Sequence, residues 1–337
     1  MPFVWSDDCL RHEPAAEIWV GTRTPATEVP ARATAIREAL VAAGARQVGA
    51  AAHPDEPLLA VHDEALVSYL RGAWEEWAAA GLPSHRVVPY MFAHHGLMDW
   101  PPAEPAAVWA RPGLYAYDTM TLIGPGTWEA ARAAVDVALT AVDLVADGEP
   151  VAYACCRPPG HHVARSAYGG SCYLNNTAVA AAELRRRVGG PVAIVDIDAH
   201  HGNGTQELFR RREDIRTASV HVDPGAGWFP HFLGFAGESD AANLNLPLAP
   251  GTGDDGWLAA VREATAFASG ARALVVALGV DAAAGDPESP LEVTADGYRE
   301  AGRILGGLAL PTVVVQEGGY DLAKIGPLVV ETLAGLR

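Results

Sequence analysis

The sequence predicts an α/β protein with one doubly wound, mainly parallel sheet and helices on both faces. Three observations carry that prediction. Five short apolar runs recur along the chain: Val151–Cys155, Val192–Ile197, Thr217–Val222, Leu274–Leu278 and Thr312–Gln316. Alanine-rich stretches with helical spacing lie between them, and strands alternating with helices call for right-handed crossovers onto a parallel sheet. Each run also ends in, or is followed directly by, acidic, histidine or tyrosine residues. In an open parallel sheet ligands bind outside the carboxyl ends of the strands, so these polar groups are gathered at one rim.

Taken in order, the amino-terminal part is the least regular. Ala31–Ala43 and Asp63–Ala80 are predicted helices. Gly81 to Gly126 holds seven prolines and little periodicity. Irregular segments of that length inside a compact domain tend to be functional loops or contact surfaces. This one is expected to overhang the site or to pair two copies as a homodimer, because Trp100, Trp109, Tyr115 and Tyr117 would be poorly solvated in a free chain. Thr127–Ala146 carries Trp128, Ala131, Val135, Leu139 and Val142 at three- and four-residue spacing, with Gly148 as a stop. Asn176–Val188 is a second such helix, closed by Gly189-Gly190; Asp254–Ala268 and Thr294–Leu308 are two more. No tract of Gly, Ser or charge cuts the chain, so residues 1–337 are expected to form one domain.

Composition excludes more than it selects. Half of the 337 residues are hydrophobic, ample for a buried core. No apolar stretch approaches the roughly 18 residues of a membrane helix, and Asp7-Asp8 precede any apolar run, unlike a secretion signal. A cytoplasmic protein with no membrane partner is expected. With 24 basic and 41 acidic residues the net charge is −17. That sign opposes nucleic acid and would draw in a cationic substrate, although acids spread over a solvated surface account for it equally well. Cys9, Cys155, Cys156 and Cys172 show no metal or disulfide spacing and fit reduced, buried thiols.

The chemistry concentrates in the strand-end clusters. Asp198 and His200 alternate on one face of an extended segment, so both side chains point the same way, and Asp281 arrives from another strand end. Three protein ligands with an open position match a catalytic zinc site, one ion per chain, whereas structural zinc takes four. The same donors accept iron or cobalt. A D-x-H triplet alone is weak; its combination with the other clusters gives it weight. His161-His162 follow the rigid Pro158-Pro159-Gly160 turn, while the similar pair His94-His95 in the proline-rich segment is expected to be solvent exposed. Asp196 can orient one imidazole and Asn203 the other. A carboxylate partner favours imidazolium and an amide leaves a neutral base, which suits a charge-stabilising His161 beside a water-activating His162. Tyr320, behind Gly318-Gly319, can donate to a developing oxyanion.

These residues resemble the motif set of the histone deacetylase superfamily. The pattern comprises Arg157-Pro-Pro-Gly-His-His162, Gly169-Gly-Ser-Cys-Tyr-Leu-Asn-Asn176, Asp196-Ile-Asp-Ala-His-His-Gly-Asn-Gly204, Gly279-Val-Asp281 with Asp286-Pro287, and Glu317-Gly-Gly-Tyr320. Phe229-Pro-His-Phe-Leu-Gly234, Gly124-Pro-Gly-Thr-Trp-Glu129, Asn243-Leu-Asn-Leu-Pro247 and His62-Asp63 are similar to its class II and bacterial acetylpolyamine amidohydrolase branch. The resemblance spans nearly the whole chain.

It implies the arginase/deacetylase fold and hydrolysis of an N-acetyl amide, on an acetylated polyamine or other small amine or on acetyl-lysine, to acetate and a free amine. It assigns Asp198, His200 and Asp281 to zinc, His161 and His162 to acid/base work and Tyr320 to carbonyl polarisation. A monovalent cation, K+ or Na+, is implied near Asp196, held largely by backbone oxygens around Asp198, His200, Ser219 and Val220. Gly170 would contact the substrate amide, and Phe229 would form one tunnel wall. Two departures stand out. Ser171 occupies a position where many relatives carry an aromatic, so the tunnel is wider unless Trp228 or Tyr168 fills the gap. Acidic residues are also expected before Gly-Thr-Trp, where this chain has Trp109, with Glu104 and Asp118 only in the neighbourhood.

Other readings are a deacylase of an N-acylated small metabolite, an arginase-type dimanganese ureohydrolase and a non-catalytic sensor of acetylated ligands. Ala283 stands where a second metal would need an acid, which favours one ion over two.

Overall fold

The computed structural model describes residues 1–99 and 102–337; Trp100 lies outside the described residues. In chain order its strands and helices are β1 (Pro2–Trp5), β2 (Glu17–Trp19), β3 (Thr22–Thr24), α1 (Ala31–Ala42), β4 (Arg46–Gly49), α2 (Glu56–Leu59), α3 (Glu64–Ala79), α4 (Pro112–Tyr115), α5 (Thr127–Ala146) and β5 (Val151–Ala154). There follow α6 (Asn176–Val188), β6 (Val192–Asp196), α7 (Asn203–Phe209), β7 (Ile215–Val222), β8 (Asn243–Leu248), α8 (Asp254–Phe267), β9 (Ala273–Leu278), α9 (Ala295–Gly306), β10 (Thr312–Gln316) and α10 (Ile325–Gly335). Among the described residues none of these helices is long and apolar enough to cross a membrane.

Eight strands form one sheet in the order β4-β1-β5-β10-β9-β6-β7-β8, and every neighbouring pair is parallel. The predicted doubly wound architecture is therefore the observed one. Alternate residues of each strand feed opposite layers, as a two-residue period requires. Ile194, Val275 and Val313 pack with α3, α5 and α6, whereas Val195, Val276 and Val314 pack with α1, α8, α9 and α10.

Local chemistry sets the helix ends. The Asn175 side chain accepts from Ala178 N at 2.8 Å to start α6, and Gly189, at φ 64°, ends it after Arg185, Arg186 and Arg187, whose charge suits a helix carboxyl end. The Thr294 hydroxyl accepts from Gly297 N to start α9.

Three sheet strands go beyond the five apolar runs. β1 is four residues long, and β4 is a mostly exposed edge strand without an apolar face. β8 is the other edge and carries Pro247, which an edge strand tolerates. For the site the decisive feature is that β5, β10, β9 and β6 are consecutive neighbours. The segments leaving their carboxyl ends meet over the centre of the sheet.

Candidate active site

β6 runs into Asp196 and continues to Asp198 and His200, while β9 delivers Asp281. One ligand atom from each of Asp198, His200 and Asp281 lies within 4.8 Å of the others. His200 Nδ1 is 3.2 Å from Asp198 Oδ1 and 3.1 Å from Asp281 Oδ2. Both carboxylates are fully buried. Burial and the neighbouring Asp198 charge push the Asp281 carboxyl up to about 7, against the pull of His200. Two desolvated acids in this proximity call for a cation.

The turn after β5 carries the histidine pair. His161 Nδ1 is 2.9 Å from Asp196 Oδ2, and its Nε2 is 3.8 Å from Asp198 Oδ1. Burial alone would lower the His161 pKa, but the charges of Asp196 and Asp198 outweigh it and push it up to about 10. His162 Nδ1 lies 2.6 Å from Asn203 Oδ1. That oxygen only accepts, so Nδ1 holds the proton and Nε2 keeps its lone pair. Burial, then the charges of His161 and His200, hold the His162 pKa well below the usual histidine range. The two adjacent imidazoles are thus driven in opposite directions. Glu317 fixes the turn: its Oε2 accepts from Gly160 N at 2.6 Å and His161 N at 3.1 Å, and its Oε1 from the Thr177 hydroxyl.

Tyr320 follows β10 across Gly318-Gly319. A Cβ at Gly318 would run into the Asp281 and Asp198 carboxylates, and Gly318 N donates to Asp198 Oδ2 at 2.6 Å, so only glycine fits there. Asp286 Oδ2 accepts from the backbone N–H groups of Tyr320 and Asp321, at 2.8 and 3.2 Å. From the opposite layer, buried Arg32 reaches the same turn. Its own charge is balanced by Glu28 Oε1 at 2.7 Å, which Arg157 Nε also approaches to 2.8 Å. Arg32 and Glu28 had no place among the expected site residues, and Glu317 stood there only as part of the motif leading to Tyr320, without a role.

A small cavity of about 60 Å³ joins His162, His200 and Tyr320 with Gly170, Ser171 and Phe229, and also with Glu17, Thr27, Met120 and Glu288. Outside it a wider one of about 630 Å³ shares Glu17, Met120, His200, Phe229 and Glu288 and adds Trp19, Trp228 and Pro287 among others. Gly170 is left-handed, φ 60°, and a Cβ on it would strike His162 and Phe229. Neither Trp228 nor Tyr168 fills the space beside Ser171. The Trp228 indole donates to Glu288 O at 2.9 Å and lines only the outer cavity, while Tyr168 is buried in a stack with Tyr69 and Tyr173. Tyr117 stacks nearly parallel to Phe229, with ring centroids 6.2 Å apart, and lines neither of these two cavities.

The acids of the mouth also differ from the expected ones. Asp118 is occupied with the N–H groups of Gly170, Met120 and Thr121, and Glu104 pairs with Arg111 at 3.4 Å. Glu17, from the β2–β3 hairpin, and Glu288, after Asp286-Pro287, line the cavity instead. Ser219 is paired with Asp196 across β6 and β7, and Val220 follows it, which puts both beside the floor of the site. Cys9, Cys155, Cys156 and Cys172 are all free and buried.

A family model for the histone deacetylase domain matches residues 26–336. Among curated proteins, acetylpolyamine amidohydrolase 1 of Pseudomonas aeruginosa is 39% identical, covering 98% of this chain and 97% of that protein. Acetylpolyamine amidohydrolase of Mycoplana ramosa is 37% identical over 100% of this chain and 99% of that one. Among solved structures, acetylpolyamine aminohydrolase from Burkholderia pseudomallei superposes with a TM-score of 0.94 at 35% identity, covering 100% of this chain and 98% of its own. The HDA15 HD domain gives a TM-score of 0.78 at 27% identity, covering 100% and 90%.

Proposed function

The chain belongs to the histone deacetylase family, and from that premise we propose that it hydrolyses the N-acetyl amide of an acetylated polyamine to acetate and free amine. The observation that carries the proposal is one lining: the cavity holding His162, His200 and Tyr320 also holds Glu17 and Glu288. An acetylated polyamine presents a neutral amide at one end and an ammonium group farther along. That sequence of groups matches the lining, and a neutral peptide backbone beyond an acetyl-lysine side chain matches it less well.

The donor set fits a divalent ion: two buried carboxylates and one imidazole whose ligand atoms converge. Among the described residues this is the single cluster of its kind, which favours one ion over a dimetal ureohydrolase site. We assign Asp198, His200 and Asp281 to zinc, and backbone oxygens around Asp196, Asp198, His200, Ser219 and Val220 to a monovalent cation. When bound, zinc supplies a Lewis acid for the acyl carbonyl and makes water nucleophilic at neutral pH.

The side chains supply the rest. His162 Nε2 takes the proton from the attacking water, with Asn203 holding its tautomer. Tyr320 donates to the oxygen that gains charge as the carbonyl becomes tetrahedral. His161, kept cationic by Asp196, stabilises that charge, and a histidine returns a proton to the leaving nitrogen as the C–N bond breaks. Gly170, Ser171, Phe229 and Trp228 line the path of the amine.

Acetate release from N-acetylputrescine, N-acetylcadaverine, an acetyl-lysine peptide and longer acyl amides tests the reading. The acetylated diamines are expected to give the highest kcat/KM. A preference for the peptide, or urea release from a guanidino compound, would overturn it.

A further inference from the structure

The inner cavity has two unlike walls. Phe229 packs nearly parallel to Tyr117 and edge-on to the ring of His162, whose centroid lies 4.9 Å away at 87°. That wall is aromatic and fixed. The lining also includes Thr27, Met120, Ser171 and Glu17, and among the described residues it holds no second aromatic ring apart from Tyr320 and the histidines of the reacting end.

Ser171 is held firmly in this place. Its backbone is left-handed, φ 60°, a conformation a serine keeps only where its neighbours impose it. Its N–H donates to the Thr121 hydroxyl at 2.8 Å, and the N–H of Gly170 donates to Asp118 Oδ2 at 2.6 Å. The Ser171 and Thr27 side chains are both half-buried in the lining. Met120 lines both the inner and outer cavities, and its flexible thioether can adapt to what enters.

We infer that Ser171 and Thr27 wall a polar side subsite next to the acylated nitrogen, which admits amides whose amine carbon bears a second, hydrogen-bonding substituent of one or two heavy atoms. The inference rests on the deacylase reading, in which Gly170 contacts the substrate amide. Ser171 is the next residue and lines the same cavity together with Thr27, which puts the carbon joined to that nitrogen on their side of it in this reading. An amine carbon carrying a hydroxymethyl group would direct it at two hydroxyls. The specificity of the enzyme would then extend from straight acetylated diamines to branched, hydroxylated ones.

The test compares kcat/KM for N-acetylputrescine with that for the same compound carrying a hydroxymethyl, or an ethyl, branch on the carbon bound to the acylated nitrogen. Wild-type enzyme is expected to turn over the hydroxymethyl compound within about tenfold of the straight one and better than the ethyl compound, and Ser171→Tyr is expected to lower the branched-to-straight ratio by at least about tenfold. A larger wild-type penalty on the hydroxymethyl branch, a ratio unmoved by Ser171→Tyr, or no advantage over ethyl would overturn the subsite while the deacylase reading stands. Acetate from none of the compounds would overturn both. The wild-type ratios require no variant, so they decide the matter even if Ser171→Tyr does not fold.

Discussion

The guanidinium of Arg32 lies over the ring of Tyr320, 4.6 Å from its centroid, while its Nε and Nη2 donate to Gly319 O and Glu317 O, each at 2.6 Å. One side chain therefore holds both the ring and the backbone that carries it. Burial drives the Tyr320 phenol well above its ordinary pKa, and the Arg32 charge works against that rise. Arg32→Lys keeps a charge but loses the planar fork. Because displacements of about 1 Å in a reacting group cost on the order of a hundredfold, kcat is expected to fall roughly 10- to 100-fold with little change in KM. A KM effect of the same size would show that Arg32 shapes binding instead.

Tyr320→Phe removes the hydroxyl and leaves the ring under Arg32. Loss of an oxyanion donor lowers kcat by roughly 10²–10³-fold, and Tm is expected to stay near that of the wild type because the packing survives. Full turnover by this variant would remove Tyr320 from the chemistry.

How much of this was readable in the sequence depended on distance along the chain. The four central strands and the ends of α5 and α6 follow from local signals: apolar runs, helical spacing, and Gly148 or Gly189 as stops. Asp198 and His200 are two residues apart on one extended segment, so their convergence was legible too. Arg32 was not, because it looks like an ordinary residue of α1 and its partner Gly319 is 287 positions away. Glu17 lies in a three-residue strand with no pattern to mark it as anything but surface charge. Its importance comes from tertiary placement beside Glu288, which no spacing rule encodes. Ser171 is visible in the sequence as a departure, but that neither Trp228 nor Tyr168 replaces the aromatic follows only from their tertiary contacts, with Glu288 and with Tyr173.

The opposed histidines give a pH prediction. Asn203→Asp would place a carboxylate on His162 Nδ1, and an opposite charge at that distance raises an imidazole pKa by about 1–3 units. The base role proposed for His162 needs the neutral ring, and in the wild type its pKa lies well below the ordinary value. Raising it means that the base is lost at a higher pH as the solution is acidified. The acid limb of kcat is expected to move upward by that amount, with activity recovering on the alkaline side. An unmoved limb would assign it to another group.

Removing the proposed metal should affect the fold as well as turnover. Without a cation the buried Asp198 and Asp281 carboxylates repel one another. Chelation is expected to abolish acetate release and to lower Tm, and one equivalent of zinc per chain to restore both. An ion at about a hundredfold excess over its Kd stabilises the native state by about 2.7 kcal/mol, enough to read in a thermal melt. An unchanged Tm, or a requirement for two equivalents, would contradict a single ion at these three side chains.

Glu17 supplies the sharpest test of the cationic substrate. Burial first, then the charges of Glu288, Asp118 and Glu28, push its carboxyl up to about 7. A raised carboxyl pKa means that the negative charge is present above about pH 7 and is lost as pH falls through that value. KM for an acetylated diamine should therefore rise as pH drops from about 8 to about 6, by up to about tenfold, the change in the ionised fraction. The neutral amide N-butylacetamide should show no such limb. Glu17→Gln should raise KM for the diamine at the higher pH and flatten its pH dependence, with kcat changed less, because the lost interaction lies beyond the reacting bond. Equal losses on both substrates would mean that Glu17 supports the β2–β3 hairpin rather than the ammonium group, and the substrate's charge would then have to be read by Glu288 alone.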